Sequence, residues 1–157
     1  MRLRIPAFAA LLLLLAHPAT AQLRQVTPPA GQPVLIADPR TGCKLWNLEP
    51  GPTDAITWSG PCINGLAEGH GIVVWTVDGK LYLTFEGDYR AGKENGHGVS
   101  RWVSGNRFEG EFRNGTPNGP GTAVLGGQTY SGNWTNGCFS DGKRRASAHV
   151  SAATCGF

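Results

Sequence analysis

Four carboxylates recur at a fixed spacing in the middle of the chain: Glu86 and Asp88 stand two residues apart, and Glu109 and Glu111 repeat the arrangement in the next stretch. A spacing of two puts both members of a pair on one face of a β-strand, and paired carboxylates on one face could divide the acid and base roles in cleaving a glycan. Such chemistry needs a carboxyl whose pKa is moved by its surroundings. Arg90, Arg101, Arg107 and Arg113 are interleaved with these acids, and no neighbouring residues mark a pocket. The expectation is therefore a solvated, charge-paired face, with a carboxylate-dependent glycan-acting enzyme as the second alternative to the reading reached below.

His70 and His97 occupy equivalent places and could share a metal only if brought together. Two intervening strands hold such positions about 9 to 10 Å apart, too far for one ion. The third copy carries Pro120 there, so a structural role is expected, with no metal and no cofactor. His149 stands alone. A Gly-x-Ser-x-Gly nucleophile motif and a phosphate-cradling loop ending in Lys-Ser or Lys-Thr are both absent from the sequence, so no catalytic residue is assigned. Asn114-Gly115-Thr116 and Asn133-Trp134-Thr135 match glycosylation acceptors but fall inside the repeat frame, and are read as accidental.

The elements that would hold these residues follow from one repeated stretch. Phe85-Glu86-Gly87-Asp88-Tyr89-Arg90-Ala91-Gly92 is restated as Phe108-Glu109-Gly110-Glu111-Phe112-Arg113-Asn114-Gly115, with degraded copies beginning at Trp58 and Tyr130. The leading glycines Gly60, Gly87, Gly110 and Gly132 and the turn glycines Gly65, Gly92, Gly115 and Gly137 advance in step, and Gly71, Gly98 and Gly121 keep the same phase. Rows that stay in phase through unequal steps mark a true repeat. Each copy reads as a β-hairpin: Asn64-Gly65, Asn114-Gly115 and Asn136-Gly137 suit a tight turn that needs positive φ, and Ala91-Gly92 is a weaker version. Asp78-Gly79, Ser104-Gly105 and Gly126-Gly127 join successive hairpins.

Alternation places Phe85, Gly87 and Tyr89 on the face shared with Gly98, Ser100 and Trp102. A ring from a neighbouring strand can lie over a glycine, which gives the aromatic-glycine pairing a use. The row Phe85, Tyr89, Trp102, Phe108, Phe112, Tyr130 and Trp134 then has two uses, as core and as a partly exposed groove, because a single sheet does not bury both faces. Tyr89, Trp102, Phe112 and Trp134 are the candidate binding face.

The pattern aromatic-Glu-Gly-acidic-aromatic-x-x-Gly followed by Gly-His-Gly and an aromatic resembles the MORN (membrane occupation and recognition nexus) repeat over about residues 57–137. Departures gather at the ends: Cys62 takes the place of the second aromatic, Ser59 and Ser131 that of the Glu, and Pro120 that of the His. The layout, with an export signal, Cys43-Lys44-Leu45-Trp46-Asn47 ahead of the repeats and Cys155-Gly156-Phe157 at the end, is similar to small exported bacterial MORN-repeat proteins. The resemblance implies an all-β fold, an elongated, twisted antiparallel meander of about four hairpins over residues 58–80, 85–107, 108–129 and 130–150, with a cap over 138–157. It also implies repeats that serve as scaffolds, dimerisation elements or lipid-contact surfaces.

Residues 1–21 read as a signal peptide, with Arg2 and Arg4 before an apolar run and Ala19-Thr20-Ala21 as the cleavage site; the run is too short to span a bilayer and no cysteine follows to take a lipid. An exported, soluble protein, periplasmic or secreted, is expected. Loss of Arg2 and Arg4 would leave 12 basic and 11 acidic residues, a balance that argues against a nucleic-acid partner. Residues 22–41, rich in Pro, read as a flexible leader in which only Val34-Leu35-Ile36 could form a strand. Four cysteines in such a chain imply two disulfides. Three repeats of two strands separate the outer pairs by roughly 29 Å, so Cys43 should join Cys62 and Cys138 should join Cys155. A last strand over 143–150 carries Lys143-Arg144-Arg145, whose charge would discourage edge pairing. The function that fits best is a non-enzymatic binding or scaffolding module of the bacterial envelope acting on a protein partner or on a second copy of itself. The alternative is contact of the basic residues with anionic lipid or cell-wall polymer.

Overall fold

The computed structural model describes residues 32–157; the expected signal peptide and the first part of the expected leader lie outside them. Strands β6 (Gly69–Val77), β7 (Lys80–Arg90), β8 (Lys93–Trp102), β9 (Arg107–Arg113), β10 (Thr116–Leu125), β11 (Gln128–Thr135), β12 (Cys138–Ser140) and β13 (Arg145–Ser147) form an antiparallel meander in which each strand pairs with the next. An earlier strand, β3 (Ala55–Trp58), closes one edge against β6, giving nine strands in all. A second, small sheet holds β1 (Val34–Ala37), β2 (Lys44–Asn47), β4 (Cys62–Ile63) and β5 (Leu66–Ala67). The described residues contain no α-helix, only a 3-10 turn at Ala152–Cys155 capped by Ser151, and no helix long and apolar enough to cross a membrane.

The turns are as the asparagine-glycine pairs require. Asn64, Asn114 and Asn136 have φ of 52°, 54° and 49°, each followed by a glycine with positive φ. This is the primed geometry whose twist matches that of the flanking strands. Ala91 takes φ 50° at the equivalent place, a conformation that costs a residue with a Cβ roughly 1–2 kcal/mol. A second set of glycines, Gly69, Gly96 and Gly119, also lies at positive φ. Pairing slips between Gly87 and Tyr89 on one hairpin and between Pro117 and Gly121 on the next, beside Gly96 and Gly119, so these glycines mark bulges that bend the strand just short of the turn. They are in phase with the other rows but were not singled out in the sequence.

One face carries the core. The rings of Trp58, Phe85 and Phe108 lie over the paired glycines: a Cβ on Gly98 would stand 2.3 Å from Phe85 Cζ, one on Gly71 2.4 Å from Trp58 Cη2, and one on Gly121 2.6 Å from Phe108 Cζ. Edge-to-face contacts then run without a break along the sheet from Trp58 through Tyr89, Phe85, Phe112 and Phe108 to Trp134, with ring centroids 4.7 to 5.5 Å apart. Each such contact adds about 0.5–1.5 kcal/mol to the burial of the rings.

The ends differ most from expectation. The folded part begins by Val34, since β1 pairs with β2 from Val34↔Asn47 to Ala37↔Lys44, and Asp38 is wholly buried. The Asp38 carboxylate accepts from the backbone N–H of Trp58 at 2.8 Å and is paired with Arg40. Burial raises its pKa, but these donors outweigh burial and hold it down at about 2. Disulfides join Cys43 to Cys62 and Cys138 to Cys155.

These end segments are not local caps. The backbone N–H of Lys44 donates to Gly65 O and that of Trp46 to Gly92 O, while Leu48 packs against Gly115. From the other terminus, the N–H of Ala148 donates to Gly137 O. The expected last strand over 143–150 shortens to Arg145–Ser147 because the chain turns away to reach that glycine. The two segments therefore run along the row of hairpin turns from opposite ends and meet where Ser151 N–H donates to Glu49 Oε1 at 3.1 Å. Together they form a strap.

Candidate functional site

The strap decides what becomes of the residues expected to bind. Tyr89, Phe112 and Trp134 are 3%, 3% and 1% exposed, so they are core and not an open groove. A single sheet leaves one face uncovered, and here the chain's own ends supply the second layer. Trp102 alone of the four keeps an exposed edge, because it lies toward the joins between hairpins, where the strap leaves space. The turn and frame glycines Gly60, Gly65, Gly87, Gly92, Gly110, Gly115, Gly132 and Gly137 are scaffold: they seat rings, turns and strap.

The acidic face is charge-paired in part, with two of its four carboxylates on arginines. Glu86 lies 3.8 Å from Arg101, Glu109 is bonded to Arg107, and Asp88 is 3.1 Å from His70 Nδ1. These side chains stand on the face away from the aromatic core. His97 is exposed, and among the described residues no group of three or more His, Cys, Asp or Glu is placed to hold a metal ion. In the basic run, Arg144 is engaged by Asp141 through its guanidinium and backbone, and Arg145 lies over the Phe157 ring.

The space under the strap is a pocket of about 400 Å³. Trp75, Trp102, Tyr82 and Leu83 rise from the sheet, and Trp46 of β2 and Leu48, Glu49 and Asp54 of the connection between β2 and β3 face them. Glu94 and His149 also line it. Neither was assigned a role from the sequence.

Glu94 is 7% exposed. Its Oε1 accepts the Tyr89 hydroxyl at 3.0 Å, and it has no ion-pair partner among the described residues. Burial dominates and raises its pKa to about 7; its own backbone and the Tyr89 hydroxyl pull the other way. The repeat frame does not ask for an acid at this place. The equivalent residues, two before the bulge glycine, are Ala67 and Pro117, both buried. Glu94 is thus an ionisable group in a slot that neighbouring copies fill with apolar atoms, and the in-register comparison of copies could have found it.

Ser100 is a second exception in the same copy. It is wholly buried where the flanking copies have Val73 and Ala123, and its Oγ lies 2.5 Å from His149 Nε2. His149 adopts φ 63°, and its ring sits edge-on to Trp102 and Phe112 with centroids 5.0 and 5.1 Å away. Desolvation lowers its pKa to about 4. The pair has the contact distance of a nucleophile and its base. A substrate has no access to a hydroxyl with no exposed surface, so the arrangement serves as a polar clamp that fixes the C-terminal half of the strap to the middle of the sheet.

A family model for the MORN repeat matches residues 85–107 and 108–125, the two copies that contain Glu94, Ser100 and Trp102 in the first and Gly115 and Pro117 in the second. No curated protein matches the chain.

Proposed function

Because the chain is a MORN-repeat protein, a repeat-based module for binding or scaffolding, we propose that it acts without catalysis in the bacterial envelope, holding a protein partner at the mouth of the pocket beneath the strap. One observation carries this reading. Leu81, Tyr82 and Val103 are 48%, 48% and 62% exposed and cluster around the joins after β6 and β8, beside the half-buried Trp75, Trp102 and Leu125. An apolar patch rimmed by polar residues suits a protein surface. The export signal in the sequence supports the envelope as the setting.

Lipid or cell-wall polymer contact through Lys143-Arg144-Arg145 is weaker, since Arg144 is already neutralised by Asp141. The test is capture of envelope proteins by the mature chain at low and high salt. Retention should survive salt and the joint replacement of Lys143, Arg144 and Arg145, and should be lost in Tyr82→Ser with Val103→Ser. Loss with salt or with the basic replacement instead would transfer the function to the charged surface, because exposed charges are screened over about 8 Å at physiological ionic strength.

A further inference from the structure

The pocket has an unbalanced charge. Among the described residues three carboxyl groups line it, from Glu49, Asp54 and Glu94, and no Lys or Arg does. Glu49 is taken up by the backbone of Ser151, and Asp54 by Asn47 Nδ2 and Gly51 N–H. Glu94 differs. One of its oxygens is held by Tyr89, and the other receives no hydrogen bond from another described residue. That second oxygen, Oε2, lies on the side of Gly115, 3.4 Å from where a Cβ on that glycine would stand, and Gly115 lines the pocket together with Glu94. It is a buried acid in the lining of an aromatic-walled space with no Lys or Arg among the described residues of that lining, in a slot where the fold is served by Ala67 and Pro117 elsewhere.

We propose that the pocket receives a basic side chain of the protein partner, a lysine or an arginine, with its charged end at Glu94 and its aliphatic stem between Trp46 and Trp102. Aromatic walls suit both parts of such a side chain, the stem by apolar contact and the cation by the ring faces. Lys93 already uses one of these walls: its Nζ lies 5.1 Å from the Trp46 ring. The inference rests on the docking reading above and deepens it. Glu94 must ionise to bind a cation, so binding releases a proton and strengthens with pH. The other titratable groups facing it are Tyr89, uncharged at neutral pH because burial raises its pKa well above the ordinary value, and His149, uncharged above about pH 4. Glu49, Asp54 and Tyr82 across the pocket and Lys93 on the same strand complete the set among the described residues.

The probes are Nα-acetyl-lysine methylamide and its uncharged analogue Nα-acetyl-norleucine methylamide, titrated into the mature protein while the tryptophan indole N–H signals are followed. The lysine probe should shift the Trp46 and Trp102 signals at pH 8 and bind roughly tenfold or more weakly at pH 5.5, where a group with a pKa of about 7 is almost wholly protonated. Glu94→Gln should erase that pH dependence and the preference over norleucine. Equal binding of the two probes overturns the proposal, as does pH-independent binding of a neutral disaccharide such as chitobiose at the same signals, which would make this a glycan site. The wild-type pH titration decides the matter even if a variant folds poorly. Capture of a protein that depends on Tyr82 and Val103 but not on Glu94 or pH would leave the docking reading standing and remove this one.

Discussion

Replacing Glu94 by glutamine should make the protein more stable, and only on the alkaline side. In the folded chain the carboxyl has a pKa of about 7, whereas unfolded it returns to the ordinary 4.5. Between those values the unfolded state has lost the proton and the folded state has kept it, so stability falls as pH rises. The full difference is on the order of 3 kcal/mol, since one pKa unit corresponds to 1.36 kcal/mol. Burial of the group leaves little solvent screening to reduce this. Glutamine keeps the shape and can still accept the Tyr89 hydroxyl. Wild type and variant should therefore have similar urea midpoints at pH 4.5 and diverge to about 3 kcal/mol by pH 8, a gap of some 10 °C in melting temperature for a domain of this size. His149 works in the opposite sense. Its folded pKa of about 4 lies below the ordinary 6.5, so stability is lost as pH falls through that window. From 4.5 to 6.5 the two slopes oppose, and the wild-type curve should be nearly flat there where the Glu94→Gln curve climbs. A constant difference between the two proteins from pH 4.5 to 8 would refute the reasoning, because it would mean that Glu94 titrates alike in both states.

Other substitutions test the clamp, the seats and the staples. Ser100→Ala and His149→Leu should each cost about 1–3 kcal/mol in denaturant unfolding by leaving a buried partner unpaired, while the double change costs less than their sum. Gly98→Ala drives a methyl group to 2.3 Å from Phe85 Cζ and should cost about 1–3 kcal/mol by overpacking, or prevent folding. Ala91→Gly removes the strain of φ 50° and should raise stability by up to about 1 kcal/mol in the same assay, an unusual gain for a glycine. Replacing Cys138 and Cys155 together by serine should cost about 3 kcal/mol for a 17-residue separation, and should also raise acrylamide quenching of tryptophan fluorescence as the strap loosens over Trp102.

Much of the sheet could be read from the sequence because its causes are local. A positive φ at Asn114-Gly115, a ring over Gly98 and alternation along Phe85-Glu86-Gly87 each depend on residues a few places apart or one repeat away, and repetition multiplies the signal. Disulfide pairing followed from strand spacing alone. The strap was illegible for the converse reason. Ser151 meets Glu49 across a separation of 102 residues, and neither the Pro-rich stretch before Gly42 nor the segment after Arg145 shows a period that announces a partner. The candidate site inherits that difficulty, since Tyr89, Phe112 and Trp134 were placed on the correct face but their cover could not be foreseen. Glu94, Ser100 and His149 were passed over for a different reason. Two of them stand out only when copies are compared slot by slot for what is polar where its equivalents are not, and the third acquires its meaning from Ser100.

The meeting of the two ends over the turns also limits how this protein can change in length. Along the strap, Lys44 serves Gly65, Trp46 serves Gly92 and Leu48 reaches Gly115, while Ala148 serves Gly137 from the far side, so the N-terminal half advances two residues for every hairpin it passes. A stack of repeats can ordinarily grow by duplication, each new unit resting on the last. Here an added hairpin would open a gap of two residues between Glu49 and Ser151, leaving rings uncovered, and a lost one would make the ends collide. The terminal segments thus act as a ruler laid against the sheet, and the number of hairpins is the number that the ruler can measure.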